Sequence, residues 1–139
     1  MTRTLYTKDF PSTVQAIGGT LSEALDALVK DNWFTAEHSF CVRLCIEEAL
    51  VNAVQHGNKS DPARMVNVGI SEEDGRCVIR IRDEGEGFDP TGVSMPDCET
   101  LGGRGVCLIK HYMDDVSFDI AGKCLEMRFS RNTFACEVS

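Results

Sequence analysis

The chain has no apolar run approaching the ~18 residues of a membrane-spanning helix, and its first residues, Met-Thr-Arg-Thr-Leu-Tyr-Thr-Lys, lack the apolar core of a secretory leader. Neither a membrane protein nor an exported one is expected, and the cytoplasm is the expected compartment. Cys-x-x-Cys pairs are missing too. The seven cysteines, Cys41, Cys45, Cys77, Cys98, Cys107, Cys124 and Cys136, are odd in number and scattered, which argues against zinc or redox chemistry and for free thiols in a reducing compartment. Excess positive charge is lacking: the formal net charge is −8, whereas direct nucleic-acid binding wants a basic footprint. A protein partner would more naturally offer a basic surface. Neither the Gly-x-x-x-x-Gly-Lys-Ser/Thr phosphate loop nor the Gly-x-Gly-x-x-Gly of a dinucleotide fold occurs, and no repeat or low-complexity tract is seen. What is present is ordinary in amount. The 139 residues, 42% hydrophobic and 26% charged, suit one domain over residues 1–139 with a core that needs no staples.

Within it, Phe40 to Asn58 reads as an interior helix carrying polar groups where apolar ones belong. At ~100° per residue, Cys41, Cys45, Glu48, Asn52 and His56 share one face, while Val42, Leu44, Ile46, Ala49, Leu50, Val51, Ala53 and Val54 cover nearly all the rest. Arg43 and Glu47 read as a solvated edge. Glu48 and Asn52 therefore belong in a cleft, where a ligand would supply the partners that buried polar groups need. The alternative is that both side chains bond neighbouring backbone. Cys41 and Cys45, at helical spacing, read as small buried hydrophobes rather than half of a metal site.

Around this helix the chain predicts a strand over 3–10 ended by Pro11, then a helix capped by Ser12 or Thr13 with Val14, Ile17, Leu21, Leu25 and Leu28 on its buried side. Gly18-Gly19 should weaken that helix's first half. Thr35 is expected to cap the central helix, His38 to lie on the surface, and Gly57 to stop the helix. A strand over 65–70, a turn at Glu72-Glu-Asp-Gly75 and a central strand over 77–82 follow. An aperiodic bridge over 91–100, expected to be mobile, leads to a helix over 106–113 and a final hairpin of 115–120 with 124–129. Blocks in this order predict an α+β two-layer sandwich with a mostly antiparallel sheet and helices on one face.

Two glycine clusters flank the bridge. In Asp83-Glu-Gly85-Glu-Gly87 a carboxylate at the end of a buried strand meets a backbone able to bend sharply and admit a flat ring. Ionised Asp83 only accepts hydrogen bonds, which suits the exocyclic amino group of adenine. Gly102-Gly103-Arg104-Gly105 opens a helix, where free N–H groups and the dipole favour phosphate and Arg104 adds a forked donor. Taken singly, each cluster reads equally as a tight turn.

Together, Glu48-Ala-Leu-Val-Asn52-Ala-Val-Gln-His56-Gly57-Asn58, Asp83-Glu-Gly85-Glu-Gly87-Phe88 and Gly103-Arg-Gly105-Val-Cys-Leu-Ile-Lys-His-Tyr-Met-Asp-Asp-Val116 resemble the three boxes of the superfamily of gyrase, heat-shock chaperone, histidine kinase and mismatch-repair ATPases. Within it the chain most resembles the stand-alone anti-sigma factor serine kinases. The resemblance implies a Bergerat-type ATP-binding fold with ATP and Mg2+ as ligands. It implies Glu48 as general base, Asn52 as the magnesium ligand and Asp83 as the reader of adenine. Gly85 and Gly87 would let the ring approach, and Gly103, Arg104 and Gly105 would form the lid over the phosphates. His56 either helps to close the site or is a helix-end histidine. The sequence departs from the family at Gly122-Lys123-Cys124, where a threonine is common, and at Glu84, where many relatives carry asparagine.

The implied activity is that of an ATP-dependent protein serine kinase acting on a small anti-sigma factor antagonist, which also binds and inhibits a sigma factor and forms a homodimer. A second reading is a non-catalytic ATP-binding switch that controls a protein partner through ordering of the lid. A third, the catalytic domain of a histidine kinase, needs a dimerisation helix pair bearing an accepting histidine, and 139 residues leave no room for one.

Overall fold

The computed structural model describes residues 1–85, 104–119 and 123–134, with the side chains of residues 104–106 left aside. Five strands, β1 (Thr2–Pro11), β2 (Met65–Glu73), β3 (Arg76–Arg82), β4 (Asp115–Asp119) and β5 (Cys124–Phe129), form one sheet in the order β1-β2-β3-β5-β4. Every neighbouring pair is antiparallel. Helices α1 (Val14–Lys30), α2 (Phe40–Val51) and α3 (Arg104–Tyr112) cover one face, as the two-layer sandwich predicts. The alternation of β3 shows why. Cys77, Ile79 and Ile81 join the core with Val66, Val68 and Ile70 of β2 and Leu125, Met127 and Phe129 of β5. The intervening Arg80 pairs instead with Glu73 and Glu126 on the opposite, polar face, as a period of two requires.

The β2–β3 turn is tighter than predicted. Glu73 pairs with Arg76, leaving Asp74 (φ 54°) and Gly75 (φ 82°) as a two-residue turn with both central φ angles positive, the form that matches strand twist.

Thr13 caps α1, its Oγ1 accepting from Ala16 N at 3.3 Å. Gly18-Gly19 does not interrupt the helix, because burial of Ile17, Leu21, Ala24 and Leu28 holds it and tertiary packing outweighs propensity. Val14, counted with the buried stripe, is exposed. Trp33, wholly buried, donates from Nε1 to Asp31 Oδ2 at 2.9 Å and carries the Arg131 guanidinium over its ring at 3.8 Å. Arg3 bonds both Asp31 and Glu72 and holds their carboxyls below the usual range. These contacts close one end of the β1–β2 pair. The other end, where Pro11 meets Met65, carries the candidate site.

Cysteine chemistry differs from expectation at one position. Cys77 and Cys124 are free thiols, but Cys107 is disulfide-bonded.

Candidate functional site

The central helix is predicted to run regularly to Gly57. Instead α2 ends at Val51, and Asn52–Gly57 forms a π-helical turn in which Asn58 N donates to Ala53 O at 2.8 Å. Such widened turns are frequent at functional sites. Here the widening begins at Asn52, so Glu48 and Asn52 keep their one-turn relation, with Asn52 N donating to Glu48 O. His56, beyond the change of pitch, is exposed. With Lys59, Arg64 and Lys123 it lines a pocket of about 390 Å³.

Apolar packing places the helix. Val42, Ile46, Ala49 and Leu50 are buried, α1 and α3 flank it, and the Cys45 thiol approaches the Leu108 carbonyl of α3 at 4.0 Å. Arg43 is exposed as expected, whereas Glu47 is half-buried. Glu48 and Asn52 are also half-buried, and among the described residues neither side chain has a hydrogen-bond or ion-pair partner. The alternative in which they are tied to neighbouring backbone has no counterpart among these residues. A carboxylate and a carboxamide so placed are open to water or a ligand.

Asp83 lies at the end of β3, its backbone N donating to Lys123 O at 3.1 Å. Its Oδ1 accepts from Gly85 N at 2.8 Å, closing a short turn back over the end of the π turn. The fit there is close: a Cβ on Gly57 would stand 2.2 Å from Asp83 Oδ2, and one on Gly85 would stand 1.8 Å from the Gly57 carbonyl oxygen. Glycine at both positions lets the carboxylate and the helix end touch. Partial burial raises the Asp83 pKa above the ordinary aspartate value, against the downward pull of the Gly85 N–H, Lys123 and Arg64. The ionised form therefore costs stability at neutral pH, and the cost disappears as pH falls through the raised pKa. A donor offered by a ligand would offset it.

The fold thus gathers Asp83 and Gly85 against the turn that Asn52 opens. Arg104 and Gly105 belong to the first turn of α3 rather than to a loop before it, and α3 lies against α2. Gly87, Gly103 and the bridge over 91–100 lie outside the described residues. Cys124, in the stretch where the family commonly has threonine, faces the polar side of the sheet in a groove of about 280 Å³ with Gly69 and Arg82, and burial pushes its thiol pKa up.

Sequence reasoning treated Gly57 as a helix stop and did not single out Asn58. Both are buried, and both contact or bond the Asp83–Gly85 turn. The signal was the run His56-Gly57-Asn58 that closes the first of the three quoted boxes, in which the glycine reads equally as a helix terminus.

A family model described as Histidine kinase-like ATPase domain matches residues 10–129. The chain is 28% identical over 111 residues to an anti-sigma F factor of Geobacillus kaustophilus, covering 75% of this chain and 68% of that one. It is 30% identical over 112 residues to the serine/threonine-protein kinase BtrW of Bordetella bronchiseptica, covering 71% and 78% respectively. The histidine kinase domain of a blue-light activated histidine kinase from Erythrobacter litoralis superposes with a TM-score of 0.54 at 18% identity, over 87% of this chain and 65%, just under two thirds, of that one. That last likeness is one of fold.

Proposed function

Because the chain belongs to the histidine kinase-like ATPase family, we propose that it is an ATP-dependent protein kinase. In this reading it phosphorylates a serine of a small anti-sigma factor antagonist and also holds a sigma factor inactive, as a cytoplasmic homodimer. The observation that carries the reading is the pair Glu48 and Asn52, one turn apart and half-buried on the central helix, with no partner among the described residues. The names of the anti-sigma F factor and of the kinase BtrW support the class of activity and partner.

Glu48 then takes the role of general base. As the serine oxygen forms its bond to the γ-phosphorus, the hydroxyl proton passes to the Glu48 carboxylate. The bond between the γ-phosphorus and the bridging oxygen breaks, and ADP leaves with the electron pair. Phosphoryl transfer asks mainly for positioning and charge neutralisation, so one well-placed carboxylate suffices on the protein side. Asn52 offers a single hard oxygen. A single protein oxygen suits a magnesium ion that keeps waters and phosphates as its other ligands. When bound, that ion supplies charge neutralisation at the phosphates. Asp83 would accept from the exocyclic amine of adenine, with Gly85 and Gly87 giving the ring room, and Gly103, Arg104 and Gly105 would cover the phosphates.

The test is incubation of the full chain with γ-labelled ATP and candidate antagonist domains. Stable label on a partner serine is the expected outcome. Tight ATP binding without transfer to a verified antagonist would replace the kinase with a nucleotide-gated switch.

Base reading has its own prediction. Asp83→Asn exchanges an acceptor for an amide of ambiguous sense, and ATP affinity should fall about tenfold or more, in line with the ~1–3 kcal/mol of an unmet buried bond. The ligand-free variant should be no less stable than the parent, since the costly buried charge is gone. Calorimetric titration together with thermal unfolding checks both halves. Equal affinity of the parent for ATP and inosine triphosphate, which has an oxygen in place of the amino group, would remove Asp83 from the role.

A further inference from the structure

Asn58 is wholly buried and polar, and both ends of its carboxamide are bonded. Nδ2 donates to Ser12 Oγ at 2.8 Å and to the Met65 carbonyl at 3.0 Å, while Oδ1 accepts from Glu84 N at 2.8 Å. The orientation of the amide is fixed by these partners, because the Met65 carbonyl can only accept and the Glu84 N–H can only donate. Through this one side chain the residue after the π turn is joined to the segment following β1, to the first residue of β2 and to the turn after β3. Secondary bonds brace the same partners. Ser12 Oγ donates to the Arg64 carbonyl at 2.8 Å, and Glu84 Oε2 accepts from Met65 N at 2.7 Å. Of the three primary bonds, the one to Glu84 has a functional consequence. Glu84 lies between Asp83 and Gly85, in the turn whose carboxylate and glycine touch Gly57. With the Glu84 N–H anchored, the Asp83 carboxylate has one seat against the helix end. Without it, the turn after β3 keeps the Asp83 N–Lys123 O bond on one side and loses its tie to the helix.

We propose that Asn58 is a positioning residue for base recognition: its Oδ1, by holding Glu84 N, fixes the Asp83–Gly85 turn against the end of the central helix and so sets the preference for a 6-amino purine without touching the nucleotide. The inference rests on the proposed role of Asp83.

The test compares the affinities of the full chain for ATP and for inosine triphosphate, by calorimetric titration with magnesium present. In Asn58→Ser the side chain is too short to reach Glu84, and ATP affinity is expected to fall about tenfold while inosine triphosphate affinity stays near the parent's, so the preference collapses. Ser12→Ala removes an acceptor of the same carboxamide and spares the Glu84 bond. It is expected to lower Tm and leave the preference intact. A residue that merely stabilised the fold would lower both affinities alike, or lower Tm with the preference unchanged, and either result in Asn58→Ser overturns the proposal. If Asn58→Ser does not fold, the parent's Glu84 amide becomes the readout. Slow hydrogen exchange there in nucleotide-free protein is expected, and exchange at the rate of an exposed loop overturns the anchoring. A parent that does not distinguish the two nucleotides sinks the reading of Asp83 itself, whereas a discriminating parent with a discriminating, folded Asn58→Ser sinks only the role of Asn58.

Discussion

Glu48→Gln is expected to leave ATP binding close to the parent's and to slow phosphoryl transfer to an antagonist serine by about 10²–10⁴, the usual worth of a positioned general base. Glutamine has nearly the shape of glutamate and cannot take the proton. The structure favours a clean result. Glu48 is half-buried with no partner among the described residues, so the exchange orphans no donor in the ligand-free protein, and Val42, Ile46, Ala49 and Leu50 keep the helix in place. Loss of rate without loss of fold is therefore the signature. Single-turnover transfer of label, with nucleotide affinity and Tm measured on the same preparation, checks it. Parent-like transfer to a verified antagonist would remove Glu48 from its assigned step.

The second large effect is steric. In Gly85→Ala the new Cβ falls 1.8 Å from the Gly57 carbonyl oxygen and 2.6 Å from its carbon, both backbone atoms at the end of the π turn. No side-chain rotation relieves that contact. Either the turn after β3 or the helix end must move by well over an ångström, at an overpacking cost of about 1–3 kcal/mol. ATP affinity is expected to drop more than tenfold, and Tm to fall by several degrees. Gly57→Ala provides the contrast. Its Cβ would meet Asp83 Oδ2 at 2.2 Å, the end of a side chain that can swing away, so nucleotide affinity should suffer more than stability. Titration and thermal unfolding of the two variants side by side check the distinction. A Gly85→Ala protein with the parent's Tm and affinity would mean that the two backbones do not meet as described.

The elements that organise this site differ in how openly the residues announce them. The alternating apolar residues of β2, β3 and β5 and the apolar sides of α2 specify a sheet with helices on one face, because periodicity follows directly from where side chains point. Thr13 as a cap and Asp74-Gly75 as a turn are likewise local, since each depends on bonds or φ angles within a few residues. Glu48 and Asn52 stand out for the same reason: charge and amide on an otherwise apolar helix conflict with burial whatever the tertiary arrangement. Val14, exposed in the first turn of α1, misled because periodicity gives a residue its phase on a helix and not whether another element packs against that turn. Gly18-Gly19 misled in the opposite sense, because local helix propensity is small beside the burial of Ile17, Leu21, Ala24 and Leu28.

By itself, the order of residues determined the layers, the half-buried polar pair Glu48 and Asn52, and the acid at the end of the central strand, since each follows from spacing along one element. Only the tertiary structure decided that the helix widens into a π turn at Asn52, that Gly57 and Gly85 are in backbone contact, and that Asn58 ties three segments to the turn bearing Asp83. The Gly57–Gly85 contact and the bonds of Asn58 to Ser12 and Glu84 join residues 26 to 46 positions apart, and a hydrogen bond or a steric contact between distant segments leaves no periodic trace in a chain, because it depends on distances that exist only once the sheet and helices have closed on each other.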